Sequence, residues 1–246
     1  SLCTAIPAVL LPRLSYFIKQ NDMKQFYALL AKIINFMLII SIPIAVYFIT
    51  VSESCILFIA NGAYSSAVIS MQIMLPAIIF VGLTNIIGIQ MLVPLGKENL
   101  VSLSVAFGAV VDVILNACLI KLFASKGNAA IATSISTLCA EFSVFIAQII
   151  IGRKYLKNIV KEIKYFKIIV INALFILVVI GVSFIKLNIS DARINAFANL
   201  AISASICFFA YLLILICCKE PIIMEILIKI KSKFRKKTNL KSDTSI

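Results

Sequence analysis

Seven stretches of this chain are apolar almost without interruption, and they decide what it can fold into. An α-helix rises about 1.5 Å per residue, so about 20 consecutive apolar residues cross the hydrocarbon core of a bilayer. Only helices and closed barrels satisfy their own backbone polar groups there. Barrel strands alternate apolar and polar residues, whereas these runs are continuous and read as helices. One partial span, Ser1–Leu14, precedes six full ones at Leu29–Val51, Ala67–Leu95, Val101–Phe123, Ala129–Gly152, Ile168–Ile185 and Phe197–Cys218. The expected fold class is all-α, a polytopic transmembrane helical bundle. The first run opens on Ser-Leu-Cys with no Met, no basic leader and no cleavage site, which reads as a truncation point.

Composition leads to the same class. Apolar residues are 62% of the 246, charged residues 13%, and mean hydropathy is +1.11. A soluble domain is about half apolar and about a quarter charged. A soluble fold of this length has no means of covering so much apolar surface.

The net charge of +13 would suggest nucleic acid in a soluble protein. Here the basic residues lie between apolar runs, and none is combined with a stacking platform for single strands. Of the 23 Lys and Arg, 19 fall on one side of the membrane if the spans alternate. They are Arg13, Lys19, Lys24 and Lys32, then Lys97, then six from Arg153 to Lys167, then eight from Lys219 to Lys241. The opposite side has Lys121, Lys126, Lys186 and Arg193. The positive-inside rule places the richer side and the C-terminus in the cytoplasm.

Several chemistries are excluded. There is no histidine, hence no Ser-His or Cys-His nucleophile. The seven cysteines form no C-x-x-C pair, and no phosphate-binding loop motif occurs. Neither a metal nor a cofactor is expected. The short outer loops carry only Glu53, Asp191 and Arg193 as catalytic candidates, which argues against an enzyme.

Two basic segments are amphipathic. In Arg153–Lys167, Leu156, Ile159, Val160, Ile163 and Phe166 share one helical face, and Lys154, Lys157, Lys161 and Lys164 share the other. Such a helix is expected to lie flat, its lysines among anionic head groups. The alternative is a solvated connector. Pro221 begins a similar stretch with Ile223, Ile226, Leu227, Ile230 and Phe234. Thr238–Ile246 is polar and reads as disordered.

Polar groups inside spans are costly and therefore informative. Ser104, Gly108, Asp112 and Asn116 recur every four residues on one face of the fourth span, which is expected to face the bundle. Ser134, Thr137, Glu141 and Gln148 form a stripe on the next. Gly82, Asn85 and Gly88 share a face of the third, with Gln90 near and Pro76 able to kink it. Asn199, Ser203 and Cys207 make a weaker stripe on the last. Asp112, near mid-span, is a candidate to carry a proton or bind a cation; its bland alternative is helix packing. The same alternative stands for Glu141. Asn85, Asn116 and Gln148 are candidate interhelical hydrogen-bond partners as well as cavity-lining groups. Pro43 is expected to bend the second span, with no chemistry attached. Asn188-Ile189-Ser190 matches a glycosylation sequon, a short pattern frequent by chance.

The order of these features resembles a known family. Leu10-Leu11-Pro12-Arg13-Leu14-Ser15 ends a span, and Asn21-Asp22 and Ser41-Ile42-Pro43 follow. An outer loop from Ser52 to Ala67 has Gly62 and Tyr64 in place, and Ile89–Asn99 reads IQMLVPLGKEN. Val111–Ile120 and Lys126–Ser136 read VDVILNACLI and KGNAAIATSIS, with Glu141 closing the pattern. In order and spacing the whole chain resembles the polysaccharide or O-antigen repeat-unit flippases of the multidrug/oligosaccharidyl-lipid/polysaccharide exporter superfamily. Two positions depart from it: Asp112 stands where Asn is frequent, and Asn128 where Gly is common.

The resemblance implies the last seven of about fourteen helices, in a fold of two lobes plus two extra C-terminal helices. On that scheme 1–152 is second-lobe core, 153–167 the interfacial segment, 168–218 the extra pair and 219–246 a basic tail. It implies a non-enzymatic flippase in a bacterial inner membrane, moving a polyprenyl-pyrophosphate-linked oligosaccharide outward by alternating access. Implied partners are that lipid-linked glycan, anionic lipids at the cytoplasmic face, and the polymerase and chain-length proteins of surface polysaccharide synthesis. Candidate cavity residues are Arg13, Asn85, Gln90, Asp112, Asn116, Glu141 and Gln148, with Arg13 a candidate to attract the pyrophosphate. The alternatives are a cation-coupled drug antiporter of the same superfamily, a membrane enzyme of glycan assembly, and a non-transporting scaffold.

Overall fold

The computed structural model describes residues 2–60, 64–124, 128–185, 187, 190–220 and 224, and every regular element among them is helical. The helices are α1 (Leu2–Lys19), α2 (Met23–Thr50), α3 (Ser52–Ala60), α4 (Ala67–Met74) and α5 (Ala77–Thr84). A π-helical segment, Asn85–Leu92, leads to α6 (Glu98–Ala124), α7 (Ala129–Glu162), α8 (Tyr165–Ser183) and α9 (Ala192–Cys217). Six helices are long and apolar enough to cross a membrane: α2, the run Ala67–Leu92, α6, α7, α8 and α9. These coincide with the six full spans expected, and a multi-pass membrane protein follows. The stretch from Pro221 to Phe234 (Met224 apart), the polar end and most of the sequon lie outside the described residues.

Local chemistry sets several boundaries. Asn21 takes a positive φ of 56° as α1 ends, and the Asp22 side chain accepts from Gln25 N at 3.1 Å to start α2. Gly96, at φ 71°, makes the turn into α6 that a side chain would strain. The third span is less regular than its sequence suggests. Around Pro76 it tightens, Ile79 N donating to Pro76 O at 3.1 Å. From Asn85 it widens until Val93 N reaches Gly88 O, five residues back.

The main core joins α1, α2, the π-helical segment and α7 through Leu14, Phe26, Leu30, Ile86, Met91 and Ile159. Ile159 changes the reading of residues 153–167. Residues 153–162 continue α7, which at 34 residues is ~50 Å long and outreaches the hydrocarbon core. Ile159 is 1% exposed, and Tyr155, Leu156 and Ile163 pack on the same core. Leu156, Ile159 and Ile163 are therefore covered by protein, mainly α2 and the π-helical segment, rather than by lipid. Val160 and Phe166 are the exposed members of the stripe, at 44% and 82%. Lys154, Lys157, Lys161 and Lys164 on the other face are exposed. Lys97 lies 5.2 Å from the Tyr155 ring centroid, bringing the turn before α6 to the same end of the bundle.

Pro43 has more consequence than a bend. Proline has no N–H, so the carbonyl four residues back, Ile39 O, loses its helical donor. The Tyr211 hydroxyl of α9 donates to that carbonyl instead. Tyr211→Phe should therefore destabilise the bundle by ~1 kcal/mol, the worth of an interhelical hydrogen bond in a membrane. In a Pro43→Ala background the alanine N–H can satisfy Ile39 O, and most of that cost should vanish. Unfolding in mixed micelles tests this; an equal cost in both backgrounds would rule out the carbonyl as the reason.

Candidate functional site

The polar stripes of α6 and α7 face each other because α6 has a glycine where the helices are closest. A Cβ on Gly108 would lie 2.2 Å from Val144 Cγ2 and 3.3 Å from the Ala140 carbonyl oxygen. The seam is pinned beside it. Gln148 Nε2 donates to Ser104 Oγ at 3.3 Å, and Ser104 Oγ donates to Val101 O at 2.6 Å. On the other side, Gly88 of the π-helical segment leaves room for the Gln148 amide; a Cβ there would be 2.9 Å from its Nε2.

Between these elements lies a cavity of about 410 Å³. Asn85, Asp112, Thr137, Glu141 and Gln148 supply its polar lining, with Thr84, and Val81, Val105 and Val144 form part of its apolar wall. Thr137 Oγ1 donates to Asp112 Oδ1 at 3.5 Å. Asn85 Nδ2 donates to Val81 O at 2.8 Å, and Thr84 Oγ1 donates to the same carbonyl at 3.0 Å, as the helix widens. Gln148 is 2% exposed and its Oε1 has no hydrogen-bond partner. Two carboxyl groups and a spare amide oxygen thus share one chamber, and among the described residues no Lys or Arg lines it. At this position within the spans such groups need a proton, a cation or water to face them.

Four of the candidate residues meet here: Asn85, Asp112, Glu141 and Gln148. The other three do not line the cavity. Arg13 is exposed near the end of α1, its guanidinium 5.7 Å from the Phe17 ring centroid. Gln90 is 2% exposed in the π-helical segment, with Oε1 unpartnered. Asn116 lies one turn beyond Asp112, and its Oδ1 is also buried without a partner. Thr84 was not marked by the sequence, because its orientation follows from the change of helical pitch next to it.

Asp191 caps α9, its Oδ1 accepting from Arg193 N at 2.9 Å and Ile194 N at 3.1 Å. Glu53 lines a separate cavity with Tyr47, Asn195 and Asn199. Burial pushes the Cys55 thiol above its usual range, which keeps it protonated and weakly nucleophilic. Among the described residues no group of three or more His, Cys, Asp or Glu is placed to hold a metal ion. Comparison with known proteins adds no identity: no family model, no curated protein and no solved structure matches the chain.

Proposed function

We propose that this chain belongs to a membrane transporter of the flippase type, which moves a polyprenyl-pyrophosphate-linked oligosaccharide to the outer face by alternating access. The observation that carries the reading is the intramembrane cavity in which Asn85, Asp112, Thr137, Glu141 and Gln148 from three spans converge. Side chains that served only helix packing would close on one another, whereas these line open volume and leave Gln148 Oε1 unpaired. The motif order from Leu10 to Glu141 supplies the substrate class. The basic end is then cytoplasmic, in a bacterial inner membrane. On this reading the transporter works alongside the polymerase and chain-length proteins of surface polysaccharide synthesis.

A second reading within transport is a cation-coupled drug antiporter. It is favoured by Asp112 and Glu141 sharing a cavity that no basic residue lines among those described. Deleting the gene separates the two. The flippase reading expects loss of surface glycan, with lipid-linked repeat units accumulating on the cytoplasmic face. Unchanged surface glycan with raised drug sensitivity would establish the antiporter instead.

A further inference from the structure

The chamber on α6 and α7 is open on one side. α7 forms its floor; α6 is one wall, and α5 with the π-helical segment is the other. The walls meet only near the start of α6, where a Cβ on Gly88 would lie 3.1 Å from Val101 Cγ1. Beyond that, α5 and α6 do not pack closely along their backbones. Ile89 and Val105 line the chamber from the two walls, yet they are 44% and 53% exposed. Asp112 and Glu141 are themselves only partly buried. The chamber is therefore a trough, which follows α6 from Val101 to Asp112 for ~17 Å, about half the thickness of the hydrocarbon core.

The polar chemistry offered by the trough is almost all of one kind. Each hydroxyl and amide lining it spends a hydrogen on the protein itself. Thr84 Oγ1 and Asn85 Nδ2 donate to Val81 O, Thr137 Oγ1 donates to Asp112 Oδ1, and Gln148 Nε2 donates to Ser104 Oγ. The groups left over are acceptors: the two carboxyl groups, and Gln148 Oε1, buried without a partner on a side chain that is 2% exposed. A site rich in acceptors and poor in donors fits a cation that carries several hydrogens.

The open side narrows the choice of cation. An inorganic ion or water would answer the acceptors and still leave the mouth of the trough to hydrocarbon, where polar groups find no partner. A second copy of this chain does not match, because none of its spans carries Lys or Arg near the middle. A transmembrane helix with Lys or Arg at mid-span does both things. It covers the exposed Ile89 and Val105, and it brings three or five N–H donors to the carboxyl groups. It also gives α6, held mainly by α7, a second neighbour along its length.

We propose that the trough between α5, α7 and α6 seats a partner transmembrane helix whose Lys or Arg, at the depth of Asp112, pairs with the Asp112 and Glu141 carboxyl groups. The helix closes the remaining side of the chamber. Its bearing on transport rests on the reading above, whereas its presence is measured as contact and not as flux, so the two fail separately.

The test is photocrosslinking in the native membrane. Benzoylphenylalanine replaces Val105, on the trough wall, or Phe107, which is 52% exposed and does not line the trough, as a reference. After illumination the adducts are sequenced by mass spectrometry. Outside this chain, residue 105 should capture a peptide of a transmembrane helix that has Lys or Arg within about two turns of the depth of Asp112, and the reference should capture lipid. Asp112→Lys should lower the yield at residue 105 about tenfold, as expected for reversing one member of a close charge pair. Replacing the captured helix's basic residue with Glu in that background should restore it. Lipid as the sole capture outside the chain, a captured helix with no Lys or Arg at that depth, or a yield indifferent to Asp112→Lys would overturn the proposal.

Discussion

Gly108→Leu should destabilise the bundle by ~2–3 kcal/mol, the upper part of the range for overpacking, and should abolish transport. The reason lies in what a side chain would meet. Val144 is β-branched and stiff at χ1, and the Ala140 carbonyl belongs to the α7 backbone, so neither yields cheaply. α6 must move off α7 instead, which breaks the Gln148–Ser104 bond and parts Thr137 from Asp112. Val144→Ala should recover much of the loss, measured as unfolding free energy in mixed micelles and as transport by the double variant. Gly82 is a control. A Cβ there would lie 1.7 Å from Met37 Cε, closer than anything at Gly108, yet that atom ends a flexible side chain. Gly82→Ala should therefore cost no more than ~1 kcal/mol. If the two glycines respond in order of distance alone, the stiffness argument is wrong.

The second large effect is expected at the carboxyl groups. Asp112→Asn and Glu141→Gln keep shape and hydrogen-bonding capacity but remove the charge. If the protein is the transporter proposed above, each should lower transport by tenfold or more, or ~1.4 kcal/mol, and weaken any coupling to an ion or pH gradient. Stability should change little, since both groups line open volume. The assay is substrate flux in vesicles with an imposed gradient, beside an unfolding measurement. Transport at full rate with unaltered gradient dependence would leave both residues with a packing role only.

The spans were legible because length and continuous apolar character are direct consequences of the bilayer. The stripes on α6 and α7 were legible because a spacing of three to four residues fixes a helix face, and their residues Asp112, Glu141 and Gln148 do meet. Gln90 was misplaced for a related reason: the π-helical segment changes the residues per turn, and nothing between Asn85 and Leu92 announces that. Residues 153–162 show a different ambiguity. An amphipathic pattern says that one face is covered, but not whether lipid or protein covers it; Ile159 is in the core. The Tyr211–Ile39 bond joins residues 172 apart and has no local signature, although Pro43 marks the carbonyl that needs a donor.

Among the described residues α6 contributes no buried side chain to the three hydrophobic clusters, which join α1, α2, the π-helical segment, α7, α8 and α9. It is fastened mainly along its seam with α7, yet it carries Asp112 into the cavity. The genetics of the protein should divide accordingly. Second-site suppressors of cavity defects should collect along the α6–α7 seam, while suppressors of folding defects should collect among Leu14, Phe26, Leu30 and Ile159. Selection can then retune the chamber in small steps without drawing on the stability of the frame that supports it.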